Sequence, residues 1–159
     1  MSHIHEKIDF AVEVFIVYKN KVLLRQHDKF NMWLGVGGHI ELDEDPIQAA
    51  LRECQEEVGL EVKIIPGPMA FPKATDKELA VPQFMNRHDI RAGHEHVILV
   101  YFATVDTDNI QEPAGVEKSQ GLKWLTQVEL NDPDNGIMEN VCHYAKAALL
   151  AAAAGSSKV

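Results

Sequence analysis

The chain has 159 residues, of which 46% are hydrophobic and 25% charged, and its formal net charge at pH 7 is −9. That size and composition fit one globular domain, residues 1–159, long enough to bury a core of its own. The acidic balance speaks against a nucleic-acid scaffold, which would show a basic stripe; it leaves a phosphate-bearing substrate open, because a bound cation reverses the local field.

In chain order, residues 1–7 lack the apolar run of a signal peptide. Residues 10–18 and 21–26 read as strands joined by a tight turn at Lys19 and Asn20. Residues 33–36 form a short strand that leads into Gly37 and Gly38, and a helix follows between Asp45 and Gly59. Residues 61–65 read as a strand, which Pro66, Gly67 and Pro68 break. The polar, proline-punctuated stretch 69–93 is the expected substrate loop or hairpin. Residues 97–105 and 121–125 are further strands. A last helix spans about 136–154, with Ile137, Val141, Ala145 and Leu149 in register, and residues 155–159 read as a frayed tail. The apolar tract 147–154 is too short to span a bilayer. Cys54 and Cys142 form no CxxC, so a cytoplasmic protein without a disulfide framework or membrane role is expected. Strands before, between and after two helices predict an α/β fold with a mixed sheet covered on both sides.

The helix carries the chemistry. Asp45 stands at the N-cap, Pro46 at the first helical position, Gln48 where a capping box closes, and Gly59 at the left-handed stop. At about 100° per residue, Glu53, Glu56 and Glu57 fall within an arc of roughly 100°. Ile47, Leu51, Cys54 and Val58 lie on an adjoining apolar stripe. Carboxylates three and four positions apart have Cβ atoms about 5–6 Å apart. At an effective dielectric near 20, each like-charge pair costs roughly 3 kcal/mol before screening. Only Arg52 offers local relief. Acidic helix faces are commonly plain solvated surface, so the cluster alone favours a divalent-cation site only modestly.

The string Gly38-x5-Glu44-x7-Arg52-Glu53-Cys54-Gln55-Glu56-Glu57-Val58-Gly59-Leu60 resembles the Nudix box at every fixed position. Cys54 stands where an aliphatic residue is more usual, and a buried thiol packs as a small hydrophobe. The resemblance implies a Nudix-like α/β/α sandwich with a mixed central sheet. It also implies Mg²⁺ or Mn²⁺ bound by Glu53, Glu56 and Glu57, with the Gly38 carbonyl as a further ligand. Glu53 would orient or deprotonate the attacking water, although some relatives use a glutamate outside the box. Arg52 would hold the glutamates in place, and Glu44 would buttress loop and helix. The implied reaction is hydrolysis of a nucleoside diphosphate linked to another moiety X. The implied partner is a small-molecule nucleotide, and a homodimer is compatible with it. A non-catalytic nucleotide-binding module on the same fold is the alternative, but its mark would be a decayed glutamate set. An isopentenyl diphosphate isomerase is the weaker rival, because no cysteine precedes the box.

Outside the box the signals are thinner. His94 and His96 share a face if extended, with Glu95 opposite; such pairs are commonly surface, and a metal site is the less common alternative. Glu95, Glu112 and Glu117 are candidates for an extra ligand or base. Arg25 is a candidate phosphate contact or, more ordinarily, half of a surface pair. Trp33 and Trp124 read as core packing, and Trp33 could also stack on a base. Val36 replaces a proline that many Nudix proteins carry before the Gly-Gly pair, a change expected to loosen the loop. No Walker loop, dinucleotide fingerprint, GxSxG or HExxH is present. Thr75, Asp76, Lys77 and Glu78 do not match the ADP-ribose or dinucleoside polyphosphate signatures.

Overall fold

The longest apolar alternation of the chain, Val12 to Val17, becomes the middle of the sheet. The computed structural model describes residues 5–27, 31–66, 76–112 and 121–156. Strand β1 (Ile8–Tyr18) runs parallel to β7 (His94–Thr104) from Ile8 to Val17. Its other edge is shared: β2 (Lys21–His27) pairs antiparallel at Val17 and Tyr18, and β4 (Val36–His39) pairs at Ala11 to Val14. Strand β3 (Met32–Leu34) and β8 (Leu122–Leu125) flank β2. The short β5 (Lys63–Ile65) and β6 (Phe84–Arg91) flank β7.

Alternation along β1 sends Val12, Val14 and Ile16 to one face and Phe15 and Val17 to the other. Helix α1 (Pro46–Val58) covers the first through Ala49, Ala50, Cys54 and Val58. Helix α3 (Glu139–Ser156) covers the second through Val141, Ala145 and Ala148. The expected mixed sheet between helices is therefore present.

Several boundaries differ from the sequence expectations. The strand expected at 33–36 is two strands, because the chain leaves the β2 edge at Gly35 to pair with β1. A side chain at Gly35 would meet Glu13 Cγ at 2.8 Å and the Val14 carbonyl at 2.9 Å. The 69–93 stretch holds the hairpin arm β6, which turns at Gly93 (φ 76°) into β7; residues 67–75 lie outside the described residues. Strand β7 begins at His94 rather than at 97, because it is paired on both sides there. A four-residue helix α2 (Gln127–Leu130), opened by a Thr126–Glu129 capping box, was not expected. Gly136, at φ 63°, closes a 3-10 turn, so α3 starts at Glu139; it runs to Ser156, and residues 157–159 of the expected tail lie outside the described residues. Leu51 is the clearest miss on α1, being 41% exposed. Ala49 and Ala50 are fully buried against the sheet, and Glu53 is buried with them. The docked arc then takes in Glu53 and leaves Leu51 at its margin. No described helix is long and apolar enough to cross a membrane.

Candidate active site

The ends of α1 fix the acidic face. Asp45 Oδ1 accepts from the Ile47 and Gln48 backbone N–H groups at 2.9 Å, and Gln48 Oε1 accepts from Asp45 N at 2.8 Å. Gly59, at φ 65°, donates back to the Gln55 carbonyl. The expected caps are all present.

Arg52 is the hub. Its Nε and Nη2 donate to the two oxygens of Glu44 at 3.0 and 2.6 Å, a bidentate fork. Nη1 donates to Glu53 Oε1 at 2.8 Å and to Glu56 Oε2 at 3.1 Å, and Nη2 also reaches the His39 carbonyl at 2.9 Å. Five contacts match the five donors of a guanidinium. Arg52 holds the Glu44 carboxyl below the usual range. Glu53, only 3% exposed, goes the other way, because burial raises its pKa against the pull of Arg52.

Glu57 turns away from this hub. Its Oε2 accepts from Gly37 N at 3.2 Å, and its Oε1 lies 3.4 Å from Arg25 Nη1. Arg25 is thus not half of a surface pair; it is buried beneath the acidic face. The three glutamates border one region without closing on a single point, since Glu53 and Glu56 share Arg52 while Glu57 faces Arg25. Gly38 completes the region. A Cβ there would lie 2.2 Å from Glu53 Oε1, so the glycine is what lets a carboxylate rest against the loop backbone. All the donors gathered here are oxygens, the set that suits Mg²⁺ or Mn²⁺. Val36 is fully buried and paired with Val14, so strand pairing secures the loop despite the missing proline.

The other face of the β1–β4 pair carries different chemistry. Asp9, His39 and His94 are buried there, with His96 beside them. The expectation that His94 and His96 are surface residues fails for His94, which is 1% exposed; β1 and β6 flank the start of β7 and enclose it. Burial, and His39 alongside, push the His96 imidazolium down to about 4. Glu13, whose role the sequence does not signal beyond its charge, sits on this face. It accepts from Gly35 N at 2.8 Å, and burial raises its pKa to about 6. A charged residue amid the apolar alternation of Val12 and Val14 was the signal available for it.

The NUDIX domain family model matches residues 8–143. The chain belongs to the Nudix family. Among solved structures, this Nudix chain is similar to a NUDIX-family hydrolase from Clostridium perfringens, at 34% identity and a TM-score of 0.74, covering 89% of this chain and 95% of that one. It is 37% identical over 84 residues to an m7GpppN-mRNA hydrolase, NUDT17, of Xenopus laevis. That match spans 45% of this chain and only 28% of the relative's length. A CTP pyrophosphohydrolase of Escherichia coli is 30% identical over 101 residues, 57% of this chain and 73% of that protein. The family and these relatives bear out the expected class, a Nudix pyrophosphohydrolase.

The remaining candidates divide. Glu95 is forked by Arg87 of β6, which lowers its pKa. Glu112 follows Gln111, whose N–H binds the Val58 carbonyl, so it enters beside the C-terminal end of α1. Glu117 lies outside the described residues, as does Thr75. Lys77 pairs with the cap residue Asp45 at 2.9 Å. Trp33 packs against the α3-side core with Lys123 Nζ 4.7 Å from its ring centre. Trp124 packs edge-on against Tyr18 and donates to the Asp108 carbonyl at 3.2 Å. Cys54 is buried on the docked side of α1, and burial pushes its thiol up, away from nucleophilic use.

Proposed function

We propose that this Nudix chain is a Mg²⁺- or Mn²⁺-dependent hydrolase. It cleaves the diphosphate linkage of a nucleoside diphosphate joined to a further group X. Glu53, Glu56, Glu57 and the Gly38 carbonyl would hold the cation. The observation that carries the proposal is the gathering of Glu53 and Glu56 on Arg52, with Gly38 open against Glu53. Bound there, the cation supplies neutralisation of the diphosphate and an acidified water.

The chain's own residues do the rest. Glu53 takes the proton of the attacking water, its carboxylate resting against the loop backbone at Gly38. Arg52 keeps that carboxylate pointed at the loop, and Glu44 serves the arginine rather than the substrate. The names of the two curated relatives, a CTP pyrophosphohydrolase and an m7GpppN-mRNA hydrolase, support a nucleotide bearing a phosphoanhydride. We read this Nudix domain as a cytoplasmic enzyme acting on a small-molecule nucleotide.

The test is a Mg²⁺-dependent phosphate-release screen over nucleoside triphosphates, nucleotide sugars, dinucleoside polyphosphates and capped RNA. The parent is to be compared with Glu56→Gln/Glu57→Gln. Release by the parent alone supports hydrolysis; equal low signal from both overturns it in favour of a binding module.

A further inference from the structure

The buried group on the far face of the β1–β4 pair is assembled from three strands. The register sets Asp9 opposite His96, Ala11 opposite His39, and His94 two residues before His96 on the same side of the sheet. Asp9, His94 and His96 each offer a ligand atom within 4.8 Å of the others, and this is the one such group among the described residues. His39 adds a fourth. Its Nε2 lies 3.3 Å from His96 Nε2 and 3.5 Å from Asp9 Oδ2, while His94 Nε2 lies 3.3 Å from the same Asp9 oxygen.

These separations carry the argument. A tetrahedral ion with ligand bonds of about 2.0–2.1 Å sets its ligands about 3.3 Å apart. The three distances agree with that edge, and the two imidazole–carboxylate ones are longer than the usual N–H···O range of about 2.7–3.2 Å. The surrounding bonds aim the ligand atoms inward. His94 Nδ1 lies 3.1 Å from the Glu6 carbonyl, which can only accept, so Nδ1 carries the proton and the Nε2 lone pair faces the cluster. Asp9 Oδ1 accepts from His5 N at 2.6 Å, which leaves Oδ2 directed at the imidazoles. Support of this kind, from a carbonyl and a backbone N–H, is what orients metal ligands. Asp9 has no exposure at all, and a carboxylate in that position calls for a cation beside it.

We propose that Asp9, His39, His94 and His96 form a second metal site that takes a transition-metal ion of the Zn²⁺ class through three imidazole nitrogens and one carboxylate oxygen. Imidazole selects Zn²⁺ or Co²⁺ over Mg²⁺, so this site and the carboxylate face sort different ions. His39 joins them, because its ring belongs to this cluster while its carbonyl accepts from Arg52. An ion here would pin β1, β4 and β7 together one residue from Gly38.

The test uses the full chain, stripped of metal and titrated with Co²⁺ alone. The visible spectrum reads geometry, and equilibrium dialysis reads stoichiometry. The expected result is one equivalent with the intense bands of tetrahedral Co²⁺, displaced by Zn²⁺ and untouched by excess Mg²⁺. His96→Gln, at a half-buried position, should weaken that binding by at least about 100-fold, more than the loss of a supporting group costs. A folded His96→Gln that keeps the tetrahedral bands overturns the proposal. So does a parent protein without them, a result that needs no variant to fold and that would leave the cluster as a purely hydrogen-bonded one.

Discussion

On one face of the β1–β4 pair, three glutamates and two arginines gather oxygen and charge, with Glu56 left 55% exposed. On the other, three imidazoles and one aspartate converge in the interior. The first set comes from a single turn-and-helix segment, Gly38 to Glu57, apart from Arg25. The second needs residues 9, 39, 94 and 96 brought together by strand pairing. The difference teaches how each site is held. The acidic face depends on one arginine and on the absence of one side chain, whereas the imidazole face depends on register. Hard oxygen donors and imidazoles also choose different cations.

Five changes break or sharpen that contrast, from the largest expected effect on turnover down. Gly38→Ala puts a methyl group 2.2 Å from Glu53 Oε1, and only the flexible tip of that glutamate can give way. Turnover should fall by at least about 100-fold, on the scale of losing a general base, with melting close to the parent's. Gly37 provides the contrast: a Cβ there would meet the Val12 carbonyl at 2.0 Å, so the same substitution should unfold the protein instead of silencing it. Arg52→Lys keeps the charge but loses the fork on Glu44 and the shared bond to Glu53 and Glu56. Urea unfolding should show a loss of about 2–3 kcal/mol, the scale of a charge-assisted hydrogen bond; an unchanged midpoint would remove Arg52 as the hub.

Glu13 tests the other face through pH. Its folded pKa of about 6 lies above the ordinary 4.5, so the folded state binds more protons between those values. The Glu13 contribution to stability should therefore fall as pH rises from about 4.5 to 6, by at most about 2 kcal/mol at 1.36 kcal/mol per unit, while His96, shifted the other way, acts in the opposite sense. The stability difference between the parent and Glu13→Gln, from denaturant curves across that window, should shift in the parent's disfavour as pH rises, the His96 titration being common to both. Asp45→Ala has the smallest effect, removing the α1 cap for about 1 kcal/mol with turnover unchanged, because the cap lies at the far end of the helix from Glu56 and Glu57.

The contrast also explains what could be read from the sequence. The α1 helix, its caps and its glutamate spacing depend on neighbours in the chain, so 3.6-residue periodicity and capping chemistry recover them. The partner of Arg25 depends on how α1 docks and that of His94 on strand register, neither of which periodicity fixes, so the surface alternatives for both residues do not hold. Leu51 was misplaced for a related reason. The angular pattern located an apolar stripe, but the docked arc takes in Ala49, Ala50 and Glu53 and leaves Leu51 at its margin. Glu13 and Asp9 are charged residues inside an apolar strand, and their meaning appeared only once β4 and β7 had been paired beside them.

The central claim is that the acidic face of α1 carries out the hydrolysis, with Glu53 as the base. The direct measurement is Mg²⁺-dependent turnover of Glu53→Gln on whichever nucleotide the parent cleaves, with thermal melting recorded on the same sample. The account predicts a loss of about 10²–10⁴-fold in a folded protein. Near-parent turnover in a folded Glu53→Gln would contradict it.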